Sequence, residues 1–205
     1  AQQNVHNMNL VSYYFKHILI FTAALLFTGL NTGNAQNCDV AFSLTGTNDF
    51  DIHSMVQSND GNLLVVGSFK GTRIDFDPGA GTEFRDSPDS KNAFIASYTP
   101  SNQLNWVQTI GGEANLKYTD IAVNAAGLIF VCGSASGTSI DLDPGDSDTN
   151  HQLPENTTGM AVGCYSRTGT YRWGFIIPAE YNWELQSSIS PNKIQLDQKG
   201  NIFIT

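Results

Sequence analysis

The chain repeats itself. Gly67-Ser68-Phe69-Lys70-Gly71-Thr72-Arg73-Ile74-Asp75-Phe76-Asp77-Pro78-Gly79 returns 66 residues later as Gly133-Ser134-Ala135-Ser136-Gly137-Thr138-Ser139-Ile140-Asp141-Leu142-Asp143-Pro144-Gly145. Over residues 61–79, 11 of 19 positions are identical to their partners at that offset. A fixed period of this kind constrains the fold more than any other feature. Each copy is one supersecondary unit, and such a unit buries its apolar face only by stacking on its neighbours.

The content of each copy is β. Met55-Val56-Gln57 leads through Asn59-Asp60-Gly61-Asn62 into Leu63-Leu64-Val65-Val66-Gly67. Asn or Asp before Gly between two β-rich runs marks a tight hairpin, because these residues accept the positive φ that the turn demands. Arg73-Ile74-Asp75-Phe76-Asp77 alternates and stops at Pro78-Gly79, and a polar loop is expected over residues 80–92. Then come residues 93–98, a turn at residues 99–102, and residues 104–110. The second copy follows the same plan from Asp120, with Tyr98 and Trp106 answered by Tyr165 and Trp173. Both tryptophans are assigned to the core. A third copy opens at residues 194–205, after an insertion around residues 178–191, so the chain reads as a fragment of a longer protein. No 3.6-residue period occurs outside the first 35 residues.

Those first 35 residues read as a leader. Lys16 precedes the apolar run Ile18-Leu19-Ile20-Phe21-Thr22-Ala23-Ala24-Leu25-Leu26-Phe27-Thr28-Gly29-Leu30. A membrane-spanning helix needs about 20 apolar residues, and this run is 13 long. With small residues at Gly33-Asn34-Ala35, it has the form of a secretory signal cleaved before Gln36. Met8 is a candidate initiator, leaving residues 1–7 upstream. Cys38 does not follow a lipoprotein-type tripeptide. The expected products are a signal peptide at 1–35 and a mature chain at 36–205 with no membrane span, secreted or displayed at the cell surface.

The mature chain keeps 9 basic and 19 acidic residues. Nucleic-acid binding needs clustered Lys and Arg, and no such cluster occurs. Cys38, Cys132 and Cys164 are too few and too widely spaced for a disulfide framework. Cys132 and Cys164 fall in strands of one copy. They either pair in an oxidising compartment or serve as two small buried apolar side chains.

Four antiparallel strands per copy, in tandem, is the plan of a propeller blade, and rings close with 4–8 blades. The expected fold is all-β: a partial β-propeller of tandem four-stranded antiparallel blades after an N-terminal signal helix. Repeat 1 covers about 53–119, repeat 2 about 120–192, and repeat 3 begins at 193–205. The strand around Phe42 is a candidate latch that closes the ring from the far end. The run from Gly to Ser (61–68 and 127–134), the Gly-Thr-x-Ile-Asp-Φ-Asp-Pro-Gly arm (Φ, an apolar residue) and the Tyr…Trp segment together resemble the bacterial SBBP-type β-propeller repeat family. The resemblance covers roughly residues 40–205. It implies a secreted or surface-exposed bacterial repeat protein.

The sharpest chemical candidates are Asp75 with Asp77, and Asp141 with Asp143. Carboxylates two apart in an extended segment point the same way and can supply part of a Ca²⁺ shell. The alternative is an Asx turn, in which the carboxylates bond backbone N–H groups ahead of Pro-Gly. Tyr181 and Trp183 are candidates for an aromatic ligand platform, or for cover on a blade edge. His53 and His151 belong to no triad or metal spacing. Gly133-Ser134-Ala135-Ser136-Gly137 lacks a central nucleophile. The function expected is a non-catalytic binding or structural module, with an unknown protein or glycan as partner. The alternatives are a glycan-active hydrolase or lyase whose catalytic residues lie in further blades, and a calcium-stabilised adhesin segment.

Overall fold

The computed structural model describes residues 49–145, 150–179 and 189–205. The leader, Cys38, the strand expected at Phe42, and Tyr181 and Trp183 lie outside the described residues. Among the described residues every regular element is a strand: β1 (Phe50–Gln57), β2 (Leu63–Asp75), β3 (Phe84–Tyr98), β4 (Leu104–Ile110), β5 (Asn115–Val123), β6 (Ile129–Ser136), β7 (Ile140–Asp141), β8 (Asn150–His151), β9 (Thr158–Tyr165), β10 (Tyr171–Pro178), β11 (Ile194–Leu196) and β12 (Ile202–Ile204). They form two four-stranded antiparallel sheets, β1-β2-β3-β4 and β5-β6-β9-β10, and two hairpins, β7-β8 and β11-β12.

The two sheets match strand for strand. In the first, Ile52 faces Gly67, and the register shifts before Ser54 pairs with Val66. In the second, Tyr118 faces Gly133, and the same shift precedes Asp120 opposite Cys132. Each first strand thus carries a β-bulge, with His53 and Thr119 as the extra residues. The bulge explains the recurring glycine. A Cβ on Gly67 would lie 1.9 Å from the Asp51 carbonyl oxygen, and one on Gly133 would lie 1.9 Å from that of Lys117. Only a residue without a side chain fits so close to a crossing backbone.

The hairpin turns share one construction. The first residue's N–H bonds the carbonyl four residues on, and the fourth residue's N–H bonds back to the first carbonyl; this holds at Ser58, Thr99, Asn124, Ser166 and Asp197. Gly61, Gly127, Gly169 and Gly200 take φ of +80° to +85° at the fourth position, and Asn102 takes 61°. A type I turn followed by a left-handed residue is the common route to a hairpin of this length. The expected Asn/Asp-Gly signal is therefore realised.

Residues 80–92 depart from the expected polar loop. β3 begins at Phe84, and its start pairs with the Ile-Asp arm through Ile74 opposite Arg85 and Asp75 opposite Phe84. The polar residues there settle their bonds locally: Ser87 donates to the Ser90 carbonyl at 2.7 Å, and Asp86 accepts from the Arg73 N–H. A polar composition therefore hid a strand. In the second copy the same arm is a separate short hairpin, β7-β8.

One core joins the sheets. Leu64, Val66, Ala93, Ile95 and Ile110 from the first meet Leu116, Tyr118, Ile129, Val131, Ala161 and Tyr165 from the second. The opposite face of the first sheet holds Val65, Phe69, Phe94 and Tyr98 with Ile74 and Phe76 of the arm. The opposite face of the second holds Phe130, Cys132 and Cys164 against Ile194, with Leu196, Ile202 and Ile204 of the last hairpin around them. Each sheet is thus covered on both faces near its first strands, as a stacked repeat requires.

Candidate functional site

The aspartates of the arms act on the backbone. Asp75 Oδ1 accepts the Asp77 N–H at 3.0 Å and the Glu83 N–H at 2.9 Å. Asp77 Oδ1 accepts the Gly79 N–H at 2.8 Å. In the second arm, Asp141 Oδ1 accepts from Asp143 N–H and Asp143 Oδ1 from Gly145 N–H, both at 2.9 Å. These are Asx turns, and they hold each arm rigid into its Pro-Gly corner. A buried tyrosine clasps each arm: Tyr98 OH donates to the Phe76 carbonyl at 3.0 Å, and Tyr165 OH to that of Leu142 at 2.8 Å. The matched Tyr98 and Tyr165 of the sequence are therefore arm anchors. Among the described residues no three His, Cys, Asp or Glu side chains converge as metal ligands.

The second sheet extends this clasp. Tyr118 OH lies 2.8 Å from Tyr165 OH, where the first sheet has Ile52 at the corresponding position. Burial pushes both phenols above their ordinary range, so neither ionises near neutral pH.

The junction between repeats is a polar node at the bulges. Asp120, only 5% exposed, accepts from Ser54 Oγ at 2.6 Å and from the Ile194 N–H at 2.9 Å. Lys193 Nζ stands 3.7 Å from the same carboxylate. Thr119 Oγ1 donates to the Pro191 carbonyl at 2.6 Å. One buried carboxylate thus ties β1 and the start of β11 to β5, and the cation beside it offsets part of the cost of its burial. Sequence reasoning missed this node. The only hint was that Ser54 and Asp120 stand one repeat apart.

His53 Nε2 lies 3.1 Å from Ser68 Oγ. This is no nucleophilic dyad. Ser68 is fully buried, and the nearby Asp51 carboxylate is bound to Lys91 Nζ at 2.9 Å. Desolvation and the positive charge of Lys117 lower the imidazole's proton affinity.

Cys132 and Cys164 are both free and buried. Cys132 sits opposite Val162, and Cys164 opposite Phe130, so the two are diagonal neighbours rather than a facing pair. Diagonal positions lie roughly 7–8 Å apart, beyond disulfide reach. Burial raises the Cys132 thiol to about 11, which keeps it protonated and unreactive.

The two tryptophans part company. Trp106 is half-buried and packed on the shared core. A Cβ on Gly169 would come within 2.9 Å of its ring, so the β9-β10 turn of the next sheet lies directly on it. Trp173, by contrast, is 39% exposed, which corrects the core assignment made from its recurrence. It heads a stripe with Phe175 and Ile177, 42% and 43% exposed, along the edge strand β10. Trp173 and Phe175 stack with centroids 6.0 Å apart and planes 6° from parallel. Alternation of apolar residues at 173, 175 and 177 was the available signal, where the first copy has Trp106, Gln108 and Ile110.

These features define an all-β protein of stacked, repeated antiparallel sheets joined through a buried carboxylate node. The chain matches no protein-family model, and no curated protein matches it.

Proposed function

We propose that the chain is an exported, non-catalytic β-propeller module of the SBBP-type repeat kind, serving as a binding or structural surface at or outside the cell. One observation carries the reading. The two sheets repeat at a 66-residue offset down to the bulge and its glycine, and the last hairpin begins a third copy against the second. The first strands β1, β5 and β11 adjoin one another through Asp120. First strands that adjoin one another are what a propeller's central axis calls for, and this supports the reading. The short apolar run at residues 18–30, read as a secretory signal, supports the export part of the proposal. The use of arm carboxylates as backbone caps in both copies supports a structural part for Asp75, Asp77, Asp141 and Asp143 within it.

Cryo-electron microscopy of the complete gene product tests the ring. First strands lining a central axis of about 4–8 sheets are the expected result, and an open superhelical stack would overturn it. N-terminal sequencing of protein from the culture medium or outer surface tests export, with Gln36 as the expected first residue.

A further inference from the structure

The face that the first sheet buries is only partly covered in the second. Strand β4 presents Trp106 and Ile110 to the shared core. What covers them includes the outer hairpin of the next sheet. A Cβ on Gly169, in the β9-β10 turn, would lie 2.9 Å from the Trp106 ring and 3.0 Å from Gln108 Cγ. One repeat on, the counterparts of Trp106, Gln108 and Ile110 are Trp173, Phe175 and Ile177 on β10, and all three are exposed. They share the face that holds Phe130 and Cys164. Trp173 stands opposite Cys164, and its ring centroid is 6.1 Å from that of Phe130. Alternate residues of a strand keep to one side. The β11-β12 hairpin packs on the inner part of this same face, over Phe130, Cys132 and Cys164.

Strand β12 is one-sided as well. Gly200 follows Gly127 by 73 residues, which sets Ile202–Ile204 in register with residues 129–131 of β6. Strands β2 and β6 each have a partner on both sides, whereas β12 pairs with β11 alone among the described residues. A strand edge of this kind is a template for a further strand. The open edge and the open stripe therefore lie at the positions where β9 and β10 serve the sheet before.

We propose that the β12 edge and the β10 stripe together dock the outer β-hairpin of a third repeat. Its first strand pairs antiparallel with β12, and its turn lies on Trp173 and Phe175 as the Ser166–Thr170 turn lies on Trp106 and Gln108. The occupant is of the repeat's own kind, because Trp173 and Ile177 reproduce the side chains that β4 already buries under such a hairpin. Phe175 in place of Gln108 makes the second contact the more apolar. The turn residue that meets the rings is a glycine, since at Gly169 a Cβ would collide with Trp106. The proposal rests on the stacking of repeats in the proposed function, and needs neither ring closure nor export.

The test extends the chain. Thr205 is in register with Cys132, so a second copy of residues 133–178 joined after Thr205 supplies the remaining strands. Hydrogen exchange at residues 202–204 is expected to slow by about tenfold or more as β12 gains its second partner. The urea midpoint of the extended chain should fall in Trp173→Ala or Ile177→Ala made in the original copy, by several times the small shift that either causes without the extension. Gly169→Asn in the added copy, which keeps the left-handed turn as Asn102 does but adds a Cβ, should reverse part of the gain. Residues 67–110 carrying Asn102→Gly continue equally from Thr205 and provide an independent second extension.

Slowed exchange with no new sensitivity at Trp173 and Ile177 would mean that the hairpin leaves β10 bare, and would overturn the docking. No slowing with either extension, while residues 194–196 stay protected, would overturn the proposal and leave the stacked sheets standing. Absence of protection at residues 194–196 in the unextended chain would place the failure in the stacking itself. Dimerisation of the unextended chain in sedimentation, abolished by Trp173→Ala, would give the stripe to a second copy and would equally overturn the proposal.

Discussion

Asp51 and His53 are neighbours on one strand, and both make the protein weaker in acid. The hydrogen bond from Lys91 holds the Asp51 carboxyl below its ordinary 3.8. A depressed carboxyl contributes stability above its unfolded value and loses it as pH falls through the folded one. Desolvation holds His53 below 6.5, so the unfolded state binds more protons near that pH and stability rises with pH there. Urea midpoints measured from pH 8 to pH 3 are expected to fall in two steps. His53→Gln should remove the upper step and Asp51→Asn should shrink the lower one. An unchanged profile in both variants would refute the assignment. The Asp51 step is small, because that side chain is half exposed and screened by solvent.

At the scale of the element, the turns and bulges separate two kinds of glycine. Gly200 has φ of +85° with nothing near its Cβ position, so Gly200→Ala costs only the left-handed backbone strain, about 1 kcal/mol. Gly133→Ala drives a methyl into the Lys117 carbonyl and backbone. It is expected to cost about 3 kcal/mol or more, as overpacking at an immovable neighbour does. Chemical denaturation of the two variants checks the ranking, and equal costs would mean the bulge is not built as described. The outer strands give a second matched pair. Ile110 is 1% exposed beneath the next sheet, and Ile177, its counterpart one repeat on, is 43% exposed. Ile110→Ala should cost about 2–4 kcal/mol and Ile177→Ala less than about 1 kcal/mol. The same residue at equivalent positions thus reports whether a neighbouring sheet covers it.

At the scale of the molecule, the repeats are coupled chiefly by the shared core and the Asp120 node. Stability in such a stack is a sum of units and of interfaces between them. The β11-β12 hairpin has few strands of its own and leans on Phe130, Cys132 and Cys164. Asp120→Ala leaves the Ser54 hydroxyl and the Ile194 N–H without their acceptor, at a cost of about 2–4 kcal/mol. Hydrogen exchange should show this loss first in β11 and β12, with β2, β3, β6 and β9 still protected. Uniform loss across all strands would mean that the node serves the whole stack rather than this junction.

Much of this was legible in the amino acids alone. Period, strand content, hairpin positions and the Asp-Pro-Gly corners follow from local chemistry: alternation, glycine's access to positive φ, and aspartate's bond to a backbone two residues on. The strand hidden in residues 84–92 was not legible, because its polar side chains are satisfied by partners that only the folded arm brings near. Neither were the Asp120 node or the exposure of Trp173. Each depends on which face of a sheet meets which neighbour, and that is settled by contacts between residues far apart in the chain. Sequence determined what each repeat is made of; tertiary structure decided what lies between repeats, because burial and charge pairing there are properties of two sheets together and of neither one alone.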